Sequence, residues 1–193
     1  RMVEFPIYNL IHLGVFNSTG LNLETAGRLT SVILSLISLC LVYLIAYKIS
    51  GRKTAIFSAL FFAFLPFNIF YSRVILPEPL MVTLFLTSFY LLLNSRLLLS
   101  AIFLSLALLV KPYAIFFALP YLLILNKNNF KRFVTYGIMA LVPFILWRYW
   151  ISNFPAGIPA SDWLFNQNGI RFRPAWFRWL FAERLGKLIL GYW

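Results

Sequence analysis

The chain has 193 residues, of which 62% are hydrophobic and only 11% charged, and it carries a net charge of +12. Against a soluble norm of about 25% charged residues, this excludes a soluble globular domain and marks an integral membrane protein. The positive balance suits basic cytoplasmic loops and contacts with anionic lipid or phosphate; a nucleic-acid patch needs a soluble face, so no nucleic-acid partner is expected.

Residues 1–28 interleave Glu4, Pro6, His12, Glu24 and Arg28 with Phe5, Ile7, Tyr8, Leu10 and Leu13. This mixture, weakened by Gly14 and Gly20, predicts an interfacial amphipathic segment lying on the bilayer and not a span. Asn22-Leu23-Glu24 then opens a helix, with Glu24 favourably placed near its positive end. Residues 29–47 hold no charge over 19 positions, close to the ~20 a crossing helix needs. Cys40 inside this run is single, which rules out an intrachain disulfide, and the lone His12 has no Cys or second His near it to make a zinc set. After the basic turn of Lys48, Arg52 and Lys53, a second span is expected at 54–71, kinked at Pro66, and a third at 79–94.

Between these two spans lies Ser72-Arg73-Val74-Ile75-Leu76-Pro77-Glu78-Pro79, flanked by uncharged runs of 19 and 17 residues. A charge near hydrocarbon costs on the order of 3 kcal/mol or more. Arg73 and Glu78 therefore read as parts of a shaped site, or as helix caps facing headgroups, or as a mutual ion pair.

Residues 97–126 as one helix would run about 45 Å, well beyond a ~30 Å hydrocarbon core. Proline restricts the residue before it, so two helices of 14 and 15 residues are expected to meet at Lys111-Pro112. Lys127, Lys131 and Arg132 form another basic turn, and 133–150, containing Pro143, is the last span. Residues 152–193 mix Trp163, Trp176, Trp179 and Trp193 with five basic residues from Arg171 to Lys187, an interfacial composition.

The expected organisation is all-α. A polytopic bundle of about six spans with interfacial amphipathic helices covers 1–151, and an extracytoplasmic interfacial loop at 152–193 leads into a further, truncated span. The start at Arg1 and the stop at Trp193, just after Leu188-Ile189-Leu190, fit an internal piece of a longer polytopic protein. With two helices in 97–126, Lys48, Arg52, Lys53, Arg96, Lys127, Lys131 and Arg132 share one side, against Arg28, Arg73 and Lys111 opposite. The positive-inside rule makes the first side cytoplasmic.

Glu4, Arg73, Glu78, Lys111 and the tail arginines, Arg173 among them, then face outward as candidates for one cavity at the bilayer surface. Arg and Lys hold phosphate oxygens through strong charge-assisted bonds. A carboxylate orients sugar hydroxyls or acts as a general base. The set suits a ligand with an anionic headgroup and a lipid tail. The plainer readings are a snorkelling Lys111, headgroup contacts for the tail arginines and a structural role for His12.

Glu4-Phe5-Pro6-Ile7-Tyr8-Asn9, Gly27-Arg28-Leu29 opening a span, Ser72-Arg73 followed by Pro77-Glu78, and Leu108-Leu109-Val110-Lys111-Pro112 occur in an order that resembles a known family. They are similar to bacterial lipid-carrier-dependent glycosyltransferases of the GT-C class, the family 39 type, related to protein O-mannosyltransferases and aminoarabinose transferases. The likeness covers residues 1 to about 112 and rests on the order of short motifs and their placement against the spans. Glu183-Arg184-Leu185-Gly186 through Gly191-Tyr192-Trp193 also looks like the end of this family's large external loop.

The resemblance implies a multi-pass enzyme of a bacterial or archaeal plasma membrane. It would move a sugar from a polyprenyl-phosphate carrier to an extracytoplasmic acceptor: a protein, lipid or glycan. Lys111 matches a family lysine at the carrier phosphate, with Arg73 and Arg173 as further phosphate contacts. Glu78 matches a supporting acid, and Glu4 falls where many relatives carry a basic residue. The family's main acid lies in a first external loop that the resemblance places ahead of Arg1, so this piece is expected to lack it. No cofactor is fixed; a divalent cation stays open, since it needs several oxygen ligands and Glu4, Glu24, Glu78, Asp162 and Glu183 are the only carboxylates. The competing classes are a transporter or flippase of lipid-linked or anionic solutes and a structural membrane subunit.

Overall fold

The computed structural model describes residues 4–118, 121, 130–154 and 169–185, and among them there are helices and turns but no strand. Helix α1, Ile7–Thr19, stops at Gly20, whose φ of 65° suits a residue without Cβ and whose N–H donates to the Phe16 carbonyl at 3.1 Å. Helix α2, Leu23–Ser50, starts at Asn22, whose side chain accepts from the Thr25 N–H at 2.8 Å. Glu24 sits in its first turn and Arg28 meets it at 2.7 Å. At 28 residues, α2 overruns the apolar run of 29–47 at both ends, because the Asn22 cap and the Gly51 stop, not the apolar boundary, set its length.

The second expected span is divided. Helix α3, Arg52–Phe64, ends at Leu65, and helix α4, Pro66–Tyr71, restarts at once. Pro66 disfavours a helical residue before it, and Leu65 accordingly adopts φ −63°, ψ 120°. The proline breaks the helix where only a kink was expected.

Helices α5, Glu78–Leu93, and α6, Leu97–Val110, form a hairpin across Asn94, Ser95 and Arg96, with Ser95 at φ 60°. As expected, α6 ends at Lys111-Pro112. The single turn α7, Ala114–Phe117, follows. The end of the expected second helix, 122–126, lies outside the described residues, as do Lys127, Asp162, Trp163, Lys187 and Trp193. Helix α8, Phe130–Ser152, carries Pro143 inside it.

Among the described residues, two helices are long and apolar enough to cross a membrane, Leu23–Ser50 and Val134–Ser152; Glu78–Leu93 and Leu97–Val110 are apolar but shorter. Of the six or so expected spans, two are thus clear crossing helices among the described residues, and the break at Leu65 divides a third.

The core is the α5–α6 hairpin, with Leu80, Met81, Leu84, Leu92, Leu104, Leu108 and Val110 buried in it. Small and hydroxylated residues line its contacts, as in helix pairs that have no water to drive them together. Ser88 and Ser100 each donate to the other's carbonyl, at 2.7 and 2.8 Å, and the Tyr136 hydroxyl joins Ser100 at 2.9 Å. The hydroxyls of Ser38 on α2 and Thr83 on α5 meet at 2.8 Å. Phe57, Phe61 and Phe64 on α3 stay more than two-thirds exposed, a face that hydrocarbon suits and water does not.

By contact the chain forms two units, Met2–Ile151, and Ser152–Trp193 with Arg1. The second contains a 3₁₀ turn Ile170–Phe172, helix α9, Pro174–Arg178, and a π-helix Trp179–Leu185. Within it the Arg184 guanidinium stands over the Trp179 ring, 5.1 Å from its centroid.

Candidate functional site

The site is built on the end of α6. Pro112 has no N–H to continue the helix, so the last carbonyls of α6 look for other donors. The Phe5 N–H takes the Leu109 carbonyl at 3.1 Å, and the Phe5 ring lies edge-on against Trp147 of α8 at 4.7 Å. These contacts fix the segment before α1 beside the helix break, and with it Glu4.

The Lys111 ammonium then bridges two carboxylates. It lies 2.5 Å from Glu4 Oε1 and 3.1 Å from Glu78 Oε1. Glu78 is the first residue of α5, where the helix dipole favours an anion, and Lys111 caps the end of α6, where it favours a cation. The lysine side chain is 18% exposed, against 28% for Glu78 and 39% for Glu4, so the cation is the least exposed member and Glu4 the outermost. Burial works against the Lys111 charge, but hydrogen bonds to Glu4 and Glu78 and the charges of both outweigh it and hold the lysine above its ordinary value.

Two cavities adjoin this cluster. A polar one of about 260 Å³ is lined by Glu4, Tyr8, Asn9, His12, Pro77 and Val110 among others. A more apolar one of about 350 Å³ lies among Phe62, Phe67, Leu76, Met81, Val82 and Phe117, with Glu78 and Tyr113 in its wall. Lys111 therefore bonds one wall residue of each cavity.

Two tyrosines that the sequence reading passed over belong here. Tyr8 is 7% exposed, and burial, with the nearby Glu78 charge, pushes its phenol up. Burial raises Tyr113 too, again with a contribution from Glu78. The signals were present: Tyr8 lies in the same short motif as Glu4, and Tyr113 adjoins Lys111-Pro112.

Of the expected site residues, Glu4, Glu78 and Lys111 come together. Arg73 does not join them. It is exposed and, with Arg28, lines a separate open groove of about 710 Å³ floored by Pro66, Ile69, Phe70, Val74 and Ile75. Nor does it pair with Glu78, whose charge the half-buried Lys111 answers at 3.1 Å. Arg173 occupies the N-cap position of α9 in the other unit. His12 is structural in its surroundings: Nε2 bonds the Leu23 carbonyl at 2.8 Å, and the ring lies where a Cβ on Gly27 would come within 3.0 Å.

Among the described residues no three His, Cys, Asp or Glu side chains gather as metal ligands. Glu4 and Glu78 do converge, with one oxygen of each on the Lys111 ammonium.

A helical fold with two helices long and apolar enough to cross a membrane and with many exposed large apolar side chains is of the kind found in integral membrane proteins. The family model of the dolichyl-phosphate-mannose-protein mannosyltransferases matches residues 8–150, and the chain belongs to that family. The family is of GT-C type, and its members are membrane glycosyltransferases that use lipid-linked sugar donors. No curated protein and no solved structure matches the chain significantly.

Proposed function

We propose that the protein moves a sugar from a polyprenyl-phosphate carrier to an acceptor hydroxyl or amine outside the cytoplasm, on a protein, lipid or glycan. The observation that carries this reading is Lys111 held between Glu4 of the polar cavity and Glu78 of the apolar one. The donor has three chemical parts, and the site offers a place for two of them directly. Its phosphate goes to Lys111, and its isoprenoid chain to the cavity among Phe62, Phe67, Leu76, Met81 and Phe117.

Lysine and two glutamates sum to one negative charge, so a phosphate must displace a carboxylate to reach the ammonium. Glu4, the most exposed of the three, is the one that gives way. Glu78, fixed at the start of α5, stays as the supporting carboxylate. In the reaction the bond from the anomeric carbon to the phosphate oxygen breaks, a bond to the acceptor atom forms, and the acceptor proton passes to a carboxylate. Arg73, beside Arg28 in the outer groove, acts as a secondary contact for lipid phosphate.

Reconstituted full-length protein, given a polyprenyl-phosphate sugar labelled in the sugar, tests the reading. Label on an acceptor together with free polyprenyl phosphate supports it. Intact donor crossing the bilayer, with no bond broken, would replace it with a flippase.

A further inference from the structure

We infer that the groove carrying Arg28 and Arg73 seats an anionic phospholipid of the bilayer, with its phosphodiester on the two guanidinium groups and an acyl chain along Ile69 and Phe70. The lipid phosphate that Arg73 contacts is then that of a resident bilayer lipid, distinct from the donor. This site stands without sugar transfer, since its charge and its floor come from its own residues.

Within the unit Met2–Ile151 the only carboxylates are Glu4, Glu24 and Glu78. Glu4 and Glu78 are on Lys111, and Glu24 is on Arg28. The exposed Arg73 is left without an acid of this unit. Two cations and one carboxylate give the groove one positive charge in excess, and a phosphodiester brings one negative charge. Glu24 Oε1 engages one N–H on Nε and one on Nη2 of Arg28. The rest of that fork, and the whole fork of Arg73, can meet phosphate oxygens.

The groove also has a place for carbon. Ile69, Phe70 and Ile75 in its floor are exposed. Arg28 immediately precedes the uncharged run of 29–47 in the crossing helix α2, which puts it at the level of headgroups. Cations at that level above an apolar floor attract anionic lipid in preference to neutral lipid.

The fold holds the two arginines together before a lipid arrives. The Ser31 hydroxyl, one turn after Arg28 on α2, donates to the Val74 carbonyl beside Arg73 at 2.8 Å. Ile75 packs against Gly27, with Cδ1 3.0 Å from where a Cβ would stand. Two such ties reduce the ordering cost of binding. Among the described residues the groove shares only Ile75 with the polar cavity and none with the apolar one, so it is a site apart from Lys111.

Native mass spectrometry of the full-length protein in detergent tests the assignment. The probes are phosphatidylglycerol, phosphatidylcholine with the same acyl chains, and polyprenyl phosphate. We expect wild type to bind phosphatidylglycerol about tenfold more tightly than phosphatidylcholine, and Arg73→Gln and Arg28→Gln each to lower that ratio about fivefold. Both side chains are exposed, so both variants should fold. Lys111→Ala should leave the ratio unchanged. A ratio that is unchanged in both arginine variants, or that falls equally in Lys111→Ala, overturns the inference. If Arg73→Gln weakens polyprenyl phosphate by the same factor as phosphatidylglycerol, the groove belongs to the donor and the resident lipid is overturned. If polyprenyl phosphate does not bind at all while the phosphatidylglycerol ratio behaves as expected, the inference holds and the sugar-transfer reading alone fails.

Discussion

The Phe5 N–H donates to the Leu109 carbonyl at 3.1 Å, and this backbone bond is what brings Glu4 to Lys111. A helix that ran on through Pro112 would have kept its carbonyls to itself. The proline does two jobs at once: it ends α6 so that Lys111 becomes a cap, and it frees an acceptor that anchors the segment ahead of α1. The same end of the bundle receives the start of α5 and its Glu78. At the other end the Lys48 ammonium bonds Asn94, so the basic turn after α2 and the α5–α6 turn with Arg96 lie together, apart from the cluster.

Removing the centre of the cluster should remove the activity. In the full-length protein, Lys111→Ala is expected to lower sugar transfer at least 100-fold and Glu78→Gln at least tenfold, with membrane insertion unchanged in both. Glu4→Gln should act in the opposite sense on binding, lowering the KM for donor, because the phosphate no longer competes with a carboxylate. Steady-state assays with a polyprenyl-phosphate sugar check all three; normal transfer in both Lys111→Ala and Glu78→Gln would refute the site.

Gly27 is where α1 and Ile75 approach α2 most closely. A Cβ there would stand 3.0 Å from two atoms of the His12 ring and 3.0 Å from Ile75 Cδ1. The ring cannot swing away without losing its bond to Leu23, so Gly27→Ala should destabilise by about 1–3 kcal/mol. Gly14 in the middle of α1 has nothing within 4 Å of such a Cβ, and Gly14→Ala should be neutral or stabilise by up to about 1 kcal/mol. Thermal melting in detergent compares the two; a loss at Gly14 as large as at Gly27 would contradict the contact.

The hydroxyl ladder inside the hairpin makes a separate stability prediction. Ser100→Ala removes the partner of both Ser88 and Tyr136. Interhelical bonds of this kind are worth about 0.6 kcal/mol on average and up to about 1.7, and this one serves two neighbours, so a loss of about 1 kcal/mol or more is expected. Denaturation in mixed micelles measures it, and a Ser100→Ala protein as stable as wild type would show that the ladder adds no net stability.

How much of this was legible beforehand depended on whether the signal was local. Lys111-Pro112 predicts its helix break from two adjacent residues, and the Asn22 cap with Glu24 is equally local. The three charges of the cluster were legible as a set because charges are so rare in this chain that each one outside the basic turns stood out. Pro66 was visible but its strength was not, since a proline kinks or breaks according to what packs around it. Arg73 differs for a related reason: it lies only five positions before Glu78 in sequence, but the acid joins Lys111 as the first residue of α5 while the arginine stays on the groove with Arg28. Tyr8 sits among apolar neighbours in sequence, and only the packing of α1 against α2 shows that it is buried.

The pH dependence follows from the direction of the shifts. Lys111 is held above the ordinary lysine value, so its contribution to stability is fully present below the unfolded value of about 10.4 and is lost as pH rises through the folded one. Tyr8 and Tyr113 are also raised; above about pH 10 the unfolded phenols ionise while the folded ones resist, so stability falls over the same range. All three groups point to alkaline lability and to none between pH 7 and 9. Lys111 accordingly stays cationic throughout that window, and the rate of sugar transfer should show no basic limb from it below about pH 10. A kcat/KM profile of wild type against Lys111→Arg checks this: a limb near pH 8 in the wild type that disappears in the arginine variant would mean that the two glutamates do not hold the lysine as charged as their distances require.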